Sequence, residues 1–386
     1  MRTTILSTIV MFWAVYAVHS QPNIQTSNPS RRIQVQINKN VELLGFVYFL
    51  GYEGRELESN DELLTGRSIR KKDWYGYGLN LYRQYKTYEG SQHLAVAISF
   101  AQDIWLDYFI GLLLQLDDFP NAALPDELDE KYYIRFSPTR DAKEAKKNAA
   151  IFIDALNQLY NEVNFDEYLK RNQKKYANAL AQVQKEMPSQ RFIPMMENFY
   201  GQQFDTYTLV PSLTIPTGMG FGIRYTVANK KKAVHVCGPF GLQSFTDESK
   251  LDMGFADRKH LLELSTHEFG HSFVNPAVDQ APQELIKETE KLFEPIKSVM
   301  ANQGYTQWKA CLCEHFVRAG EIVIAQNLGN VADAQRLKDQ YINERRFIYL
   351  PLILDELATY NKKRTNSYQQ TVEIALRKLE KTLPSK

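Results

Sequence analysis

A chain of 386 residues carries 46 Lys and Arg against 45 Asp and Glu, a formal net charge of +1, and so even a balance excludes nucleic acid or an anionic membrane as the main partner. With 44% hydrophobic and 12% aromatic residues it can bury a sizeable core, as one large or two modest domains. Three cysteines, Cys237, Cys311 and Cys313, exclude a disulfide-stapled framework: at most one bridge can form, and Cys311 and Cys313 are too close on one helix to bond each other.

Residues 1–20 open with Met1-Arg2, continue through an apolar run from Ile5 to Val18, and end in Ser20. A positive start, a short apolar stretch and small residues before Gln21 predict a cleaved signal peptide. The expected location is therefore secreted or periplasmic, with no membrane association after signal removal. Removal deletes Arg2 and no acid, so Lys and Arg fall from 46 to 45 against 45 acids and the formal charge becomes zero. Residues 21–32 read as a disordered leader.

Residues 33–200 read as a mainly helical N-terminal region. Residues 32–37 alternate apolar and polar, the period of a strand, and Asn38-Lys39-Asn40 breaks it. Helical patterns follow over 41–50, 91–116, 141–160 and 165–186, with Trp105, Tyr108 and Phe109 spaced as core residues.

Near residue 200 the pattern turns extended. Residues 206–210 and 213–215 read as strand, and 221–227 and 233–237 flank a charged turn at 228–232. Gly218, Gly220 and Gly222 interrupt this sheet, which predicts either a bend or an open edge to which an extended peptide can add.

The next helix, over 258–273, begins at the N-cap Asp257, carries Leu261, Leu262, Leu264, Phe269 and Phe273 as its apolar set, and is expected to stop at Asn275-Pro276. It contains His267-Glu268-Phe269-Gly270-His271. Two histidines at i and i+4 share a helix face and can grip one Zn²⁺, while Glu268 is placed to take a proton from a water rather than to bind metal. A catalytic zinc usually takes three protein ligands. Val274 and Ala277 stand where the extended motif needs Gly and a third His, so a carboxylate from a later helix is the expected donor.

Residues 282–304 read as a charged amphipathic helix and 307–326 as one that is apolar nearly all round, hence buried. Glu314, Arg318 and Glu321 lie on that second helix at i, i+4 and i+7. Buried ionisable groups need a partner or a metal. Glu314 is therefore the expected third ligand, in preference to Glu290, with Arg318 or Glu321 steadying it. The tail over 332–383 is helical and supplies tyrosines, one of which could stabilise an oxyanion.

His267-Glu268-x-x-His271 with a downstream Glu resembles the gluzincin zinc metallopeptidases. More closely, His267 to Pro276 and Glu314-His315-Phe316-Val317-Arg318-Ala319 resemble the two motifs of a family of exported bacterial proteins with a domain of unknown function. The resemblance implies His267, His271 and Glu314 as metal ligands and Glu268 as general base. The expected fold is α+β and mostly helical: a zincin-like region over 201–386, with a small sheet and an active-site helix, preceded by a helical scaffold. The expected function is zinc-dependent hydrolysis of a peptide or protein substrate, with one Zn²⁺ per chain. The alternatives are a non-catalytic exported binding protein with a structural zinc, and a zinc amidase acting on a non-protein amide.

Overall fold

A computed structural model describes residues 32–64, 68–102 and 104–383; the expected signal peptide, residues 1–20, and nearly all of the expected leader, residues 21–32, lie outside the described residues. The protein is 63% helical with one small mixed sheet, the α+β, mostly helical architecture expected. The strands are β1 (Ile33–Val35), β2 (Thr206–Pro211), β3 (Gly220–Val227) and β4 (Lys230–Cys237), in the order β1-β2-β4-β3. β1 and β4 run parallel to β2, and β3 runs antiparallel to β4 at the edge. Helices named below are α1 (Lys39–Tyr48), α2 (Ala142–Glu162), α3 (Gln173–Glu186), α4 (Arg258–Asp279) and α5 (Trp308–Asn327). Among the described residues no single helix is long and apolar enough to cross a membrane.

Local rules explain where most elements begin. Asn38 caps α1 by accepting from the Val41 N–H, Asp141 caps α2 by accepting from Glu144, and Asp257 caps α4 by accepting from His260. Two apolar clusters result. One unites α1, α2 and α3 with Leu209, Val234, Val236 and Leu261; the other unites residues 192–207 with the helices after Phe269. The strands and α4 contribute to both, so α4 lies at the seam between them.

Five local expectations need correction. Trp105, expected in the core, is 64% exposed, because the helical pattern over 91–116 breaks and Trp105 stands outside the helix that restarts at Leu106. β2 ends at Pro211, and residues 213–215 are not a strand. Proline cannot donate to a ladder, and the chain instead folds around a buried carboxylate: Leu213 N–H donates to Glu42 Oε1, while Ser212 Oγ accepts from the Thr214 and Ile215 N–H groups. The hairpin turn is two residues, not five. Ala228 (φ 48°) and Asn229 (φ 62°) are both left-handed, which suits the twist of the flanking strands, and Lys230 to Lys232 pair within the sheet.

α4 also runs past its expected stop to Asp279, with Pro276 inside it. The proline falls in the last turn, where it removes a single donor, and burial of Val274, Ala277 and Val278 outweighs the local preference. Finally, residues 282–304 form a chain of short turns, Gln283–Thr289, Glu290–Leu292, Glu294–Ile296 and Lys297–Ala301, because Pro295 interrupts the ladder.

Candidate metal centre

α4 and α5 pack against each other with the polar residues of both turned to their common face. Close approach is built in: a Cβ at Gly320 of α5 would stand 2.6 Å from the Tyr200 hydroxyl, whose ring is stacked on Phe273 of α4 at 4.5 Å. From β3, Gly222 comes nearer still, since a Cβ there would lie 2.0 Å from the Glu268 carbonyl oxygen.

On α4 the His267 and His271 rings face each other, with Nε2 atoms 3.3 Å apart. Glu314 of α5 brings Oε1 to 3.1 Å from His271 Nε2 and Oε2 to 3.7 Å from His267 Nε2. Ligands about 2.0–2.2 Å from a tetrahedral metal lie about 3.4 Å from one another, so these spacings suit one ion. His267, Glu268 and His271 also offer ligand atoms within 4.8 Å of one another and could hold a metal ion. Glu268 and Glu314 thus both face the two imidazoles.

The second nitrogen of each ring explains how the pair is aimed. His267 Nδ1 bonds Glu321 Oε1, and His271 Nδ1 bonds Asn275 Oδ1 at 3.1 Å. Both partners are acceptors, so each Nδ1 donates, which leaves Nε2 of each ring as the atom that can bind a metal once it has lost its proton. Two such nitrogens, beside the buried Glu314 carboxylate, whose Oε2 meets Arg318 as an ion pair without forming a hydrogen bond, suit a cation.

The electrostatics agree. Burial would raise Glu314, but His267, Arg318 and His271 hold it well below the usual carboxylate range. Burial would lower His271, yet Glu314 lifts it to about 9, so the site favours positive charge. Glu321 is held low against burial by His267, Arg318 and the Tyr341 hydroxyl. Glu268 differs: burial raises it, only partly offset by the two histidines, which makes it a stronger proton acceptor than an ordinary carboxylate.

Each residue singled out in the sequence has a distinct place. Arg318 Nη2 lies 3.1 Å from Glu314 Oε2. Glu321 serves His267 instead of Glu314, and it accepts from Tyr341. Glu290 is exposed on its own short turn. Cys237, Cys311 and Cys313 are buried free thiols.

Two site residues escaped sequence reasoning. Asn275, read only as a helix stop, sits one turn beyond His271, and the i+4 spacing could have disclosed it. Tyr305, in the loop before α5, receives a hydrogen bond from Arg318 Nη2 at 3.3 Å, and burial pushes it up to about 12. No periodic signal marks it. Tyr341 is committed to Glu321, so among the tyrosines lining the cleft near the histidines Tyr305 has the less committed hydroxyl.

These groups open into a cleft of about 1260 Å³. Its lining comes from both halves of the chain: Tyr48, Trp105 and Phe109, β3 from Gly220 to Gly222, and Tyr305, Tyr341 and Arg345.

Residues 33–373 match the family described as a domain of unknown function, DUF4932. No curated protein and no solved structure matches the chain.

Proposed function

We propose, from the premise that the chain belongs to the DUF4932 family, that it is a secreted zinc-dependent metallopeptidase of gluzincin type. The observation that carries this reading is the convergence of His267, His271 and Glu314 beside a buried Glu268 whose charge the two histidines only partly offset. His267 Nε2, His271 Nε2 and Glu314 would hold the ion, with Glu321 and Asn275 fixing the two rings. Zinc bound there would polarise a substrate carbonyl and bring the pKa of a water to about 7.

The chain's own groups supply the remaining steps. Glu268 takes the proton of the attacking water and passes it to the leaving amine. Its raised affinity for protons suits both transfers. Tyr305 can donate to the carbonyl oxygen as negative charge develops, held for that purpose by Arg318. β3 is an edge strand, and its glycines lie against Glu268, so an extended peptide added there would run past the general base. A structural zinc site has no use for such a carboxylate in an open cleft.

The test combines two measurements. Protein purified without a metal-binding tag should contain about one Zn²⁺ per chain and should digest an unbiased peptide library. Glu268→Gln should keep zinc and fold and lose on the order of 10²-fold or more in activity. A protein that refuses added zinc, or a variant as active as wild type, would overturn the reading.

A further inference from the structure

Arg345 follows a π-helical turn, Gln340–Glu344, and its N–H donates to the Gln340 carbonyl at 2.9 Å. Wide turns of this kind occur where side chains must be re-aimed, often at functional sites. Here the turn sends Tyr341 to Glu321 and Arg345 to Gln303 in the same cleft.

The guanidinium is held without being neutralised. Its Nε donates to Gln303 Oε1 at 2.9 Å, and the Gln303 amide donates back to the Arg345 carbonyl at 2.9 Å. The charged plane lies 5.6 Å from the Phe347 ring centroid. Among the described residues no carboxylate stands within 4.0 Å of it, although it is half-buried.

The cleft's other arginines near the histidines are spent. Arg318 faces Glu314 at 3.1 Å, and Arg336 is bonded to Glu263 and lies 3.6 Å from Asp333. Arg135 is exposed and rests on Tyr108. Arg345 is also close to the chemistry, since Arg318 lies over the same Phe347 ring at 5.1 Å, and Tyr305 feels the charges of Glu314, Arg318 and Arg345 together.

We propose that Arg345 binds a carboxylate of the substrate, so that the site selects anionic peptides. A planar guanidinium anchored through Nε presents its two Nη groups as a fork, the geometry that takes a carboxylate in two parallel hydrogen bonds. Partial burial without an ionic partner is unfavourable until such a group arrives. The carboxylate is either the C-terminus of the peptide or an Asp or Glu side chain. This rests on the peptidase reading above.

The test uses the full chain as zinc-loaded Glu268→Gln, which binds without turnover, and pools of N-acetylated random pentapeptides with free or amidated C-termini, each made with and without Asp and Glu. Retained peptides are counted by mass spectrometry. Carboxylate-bearing peptides should be retained about 10-fold or more over amidated, acid-free ones. A gain from the free C-terminus alone identifies the terminal carboxylate, and a gain from Asp or Glu in the amidated pool identifies the side chain. Adding Arg345→Gln should bring the ratio to about one at full zinc content, whereas Arg345→Lys, which keeps the charge but not the fork, should keep part of it.

Equal retention of neutral peptides, a preference that survives Arg345→Gln, or no retention of any pool would overturn the proposal. Digestion of the neutral amidated pool by wild type, as fast as the others, would overturn it while leaving the peptidase standing. If no pool is digested but Arg345-dependent retention is found, the peptidase fails and the anion site stands.

Discussion

Glu290 and Glu314 compete on spacing for the third ligand position, and their surroundings separate them. Glu290 follows His271 with eighteen residues between but is exposed on a short turn. Glu314 is buried, faces both imidazoles and is held ionised by them and by Arg318. Ionised carboxylates survive burial only where a cation meets them. Zinc affinity should therefore fall about 100-fold or more in Glu314→Ala and hardly change in Glu290→Ala, as read by competition with a chromophoric chelator. The opposite ranking would move the third ligand to Glu290.

Element packing depends on how closely β3 approaches α4. In Gly222→Ala the new Cβ would meet the Glu268 carbonyl oxygen at 2.0 Å, a backbone atom that no rotamer change can move. β3 must then shift away from α4 and from the general base. The expected cost is about 1–3 kcal/mol, with a loss of activity exceeding the loss of zinc, measured by urea denaturation of the zinc-loaded protein beside peptidase and zinc assays. Gly241→Ala is the control: nothing lies within 4 Å of that Cβ, so its effect should stay within about 0.5 kcal/mol. Equal stability of the two variants would mean that the β3–α4 approach is looser than described.

Across the whole molecule, Glu42 ties the helical half to the sheet. Its wholly buried carboxyl accepts from Tyr176 of α3 at 2.8 Å and from the Leu213 N–H after β2 at 3.1 Å. Burial raises its pKa from 4.5 to about 7, against the opposing pull of these hydrogen bonds. The folded state therefore holds this proton more tightly than the unfolded chain. The resulting stability is fully present below about pH 4.5 and lost as pH rises through about 7, a contribution of about 3 kcal/mol. In Glu42→Gln that dependence should vanish, so the variant gains on wild type as pH rises from 5 to 8. Denaturant titrations at saturating zinc will show it, and a difference between the two proteins that does not vary with pH would mean that Glu42 ionises normally.

What the sequence determined by itself was whatever a single helix can encode. The i, i+4 pair His267 and His271, the neighbouring Glu268 and the Asp257 cap all follow from helical geometry within one segment, and the all-round apolar pattern of α5 singled out Glu314 because burial of a charge is a local contradiction. Local rules failed where distant packing outweighed them: Pro276 stays inside α4 because its last turn is buried, and residues 213–215 leave the sheet to wrap Glu42. Only the tertiary structure decided that Glu321 serves His267 instead of Glu314, that Tyr305 and Arg345 reach the same cleft, and that the glycines of β3 lie against the general base. Those contacts join segments far apart in the chain, and no periodicity within one segment records what a side chain meets across a cleft.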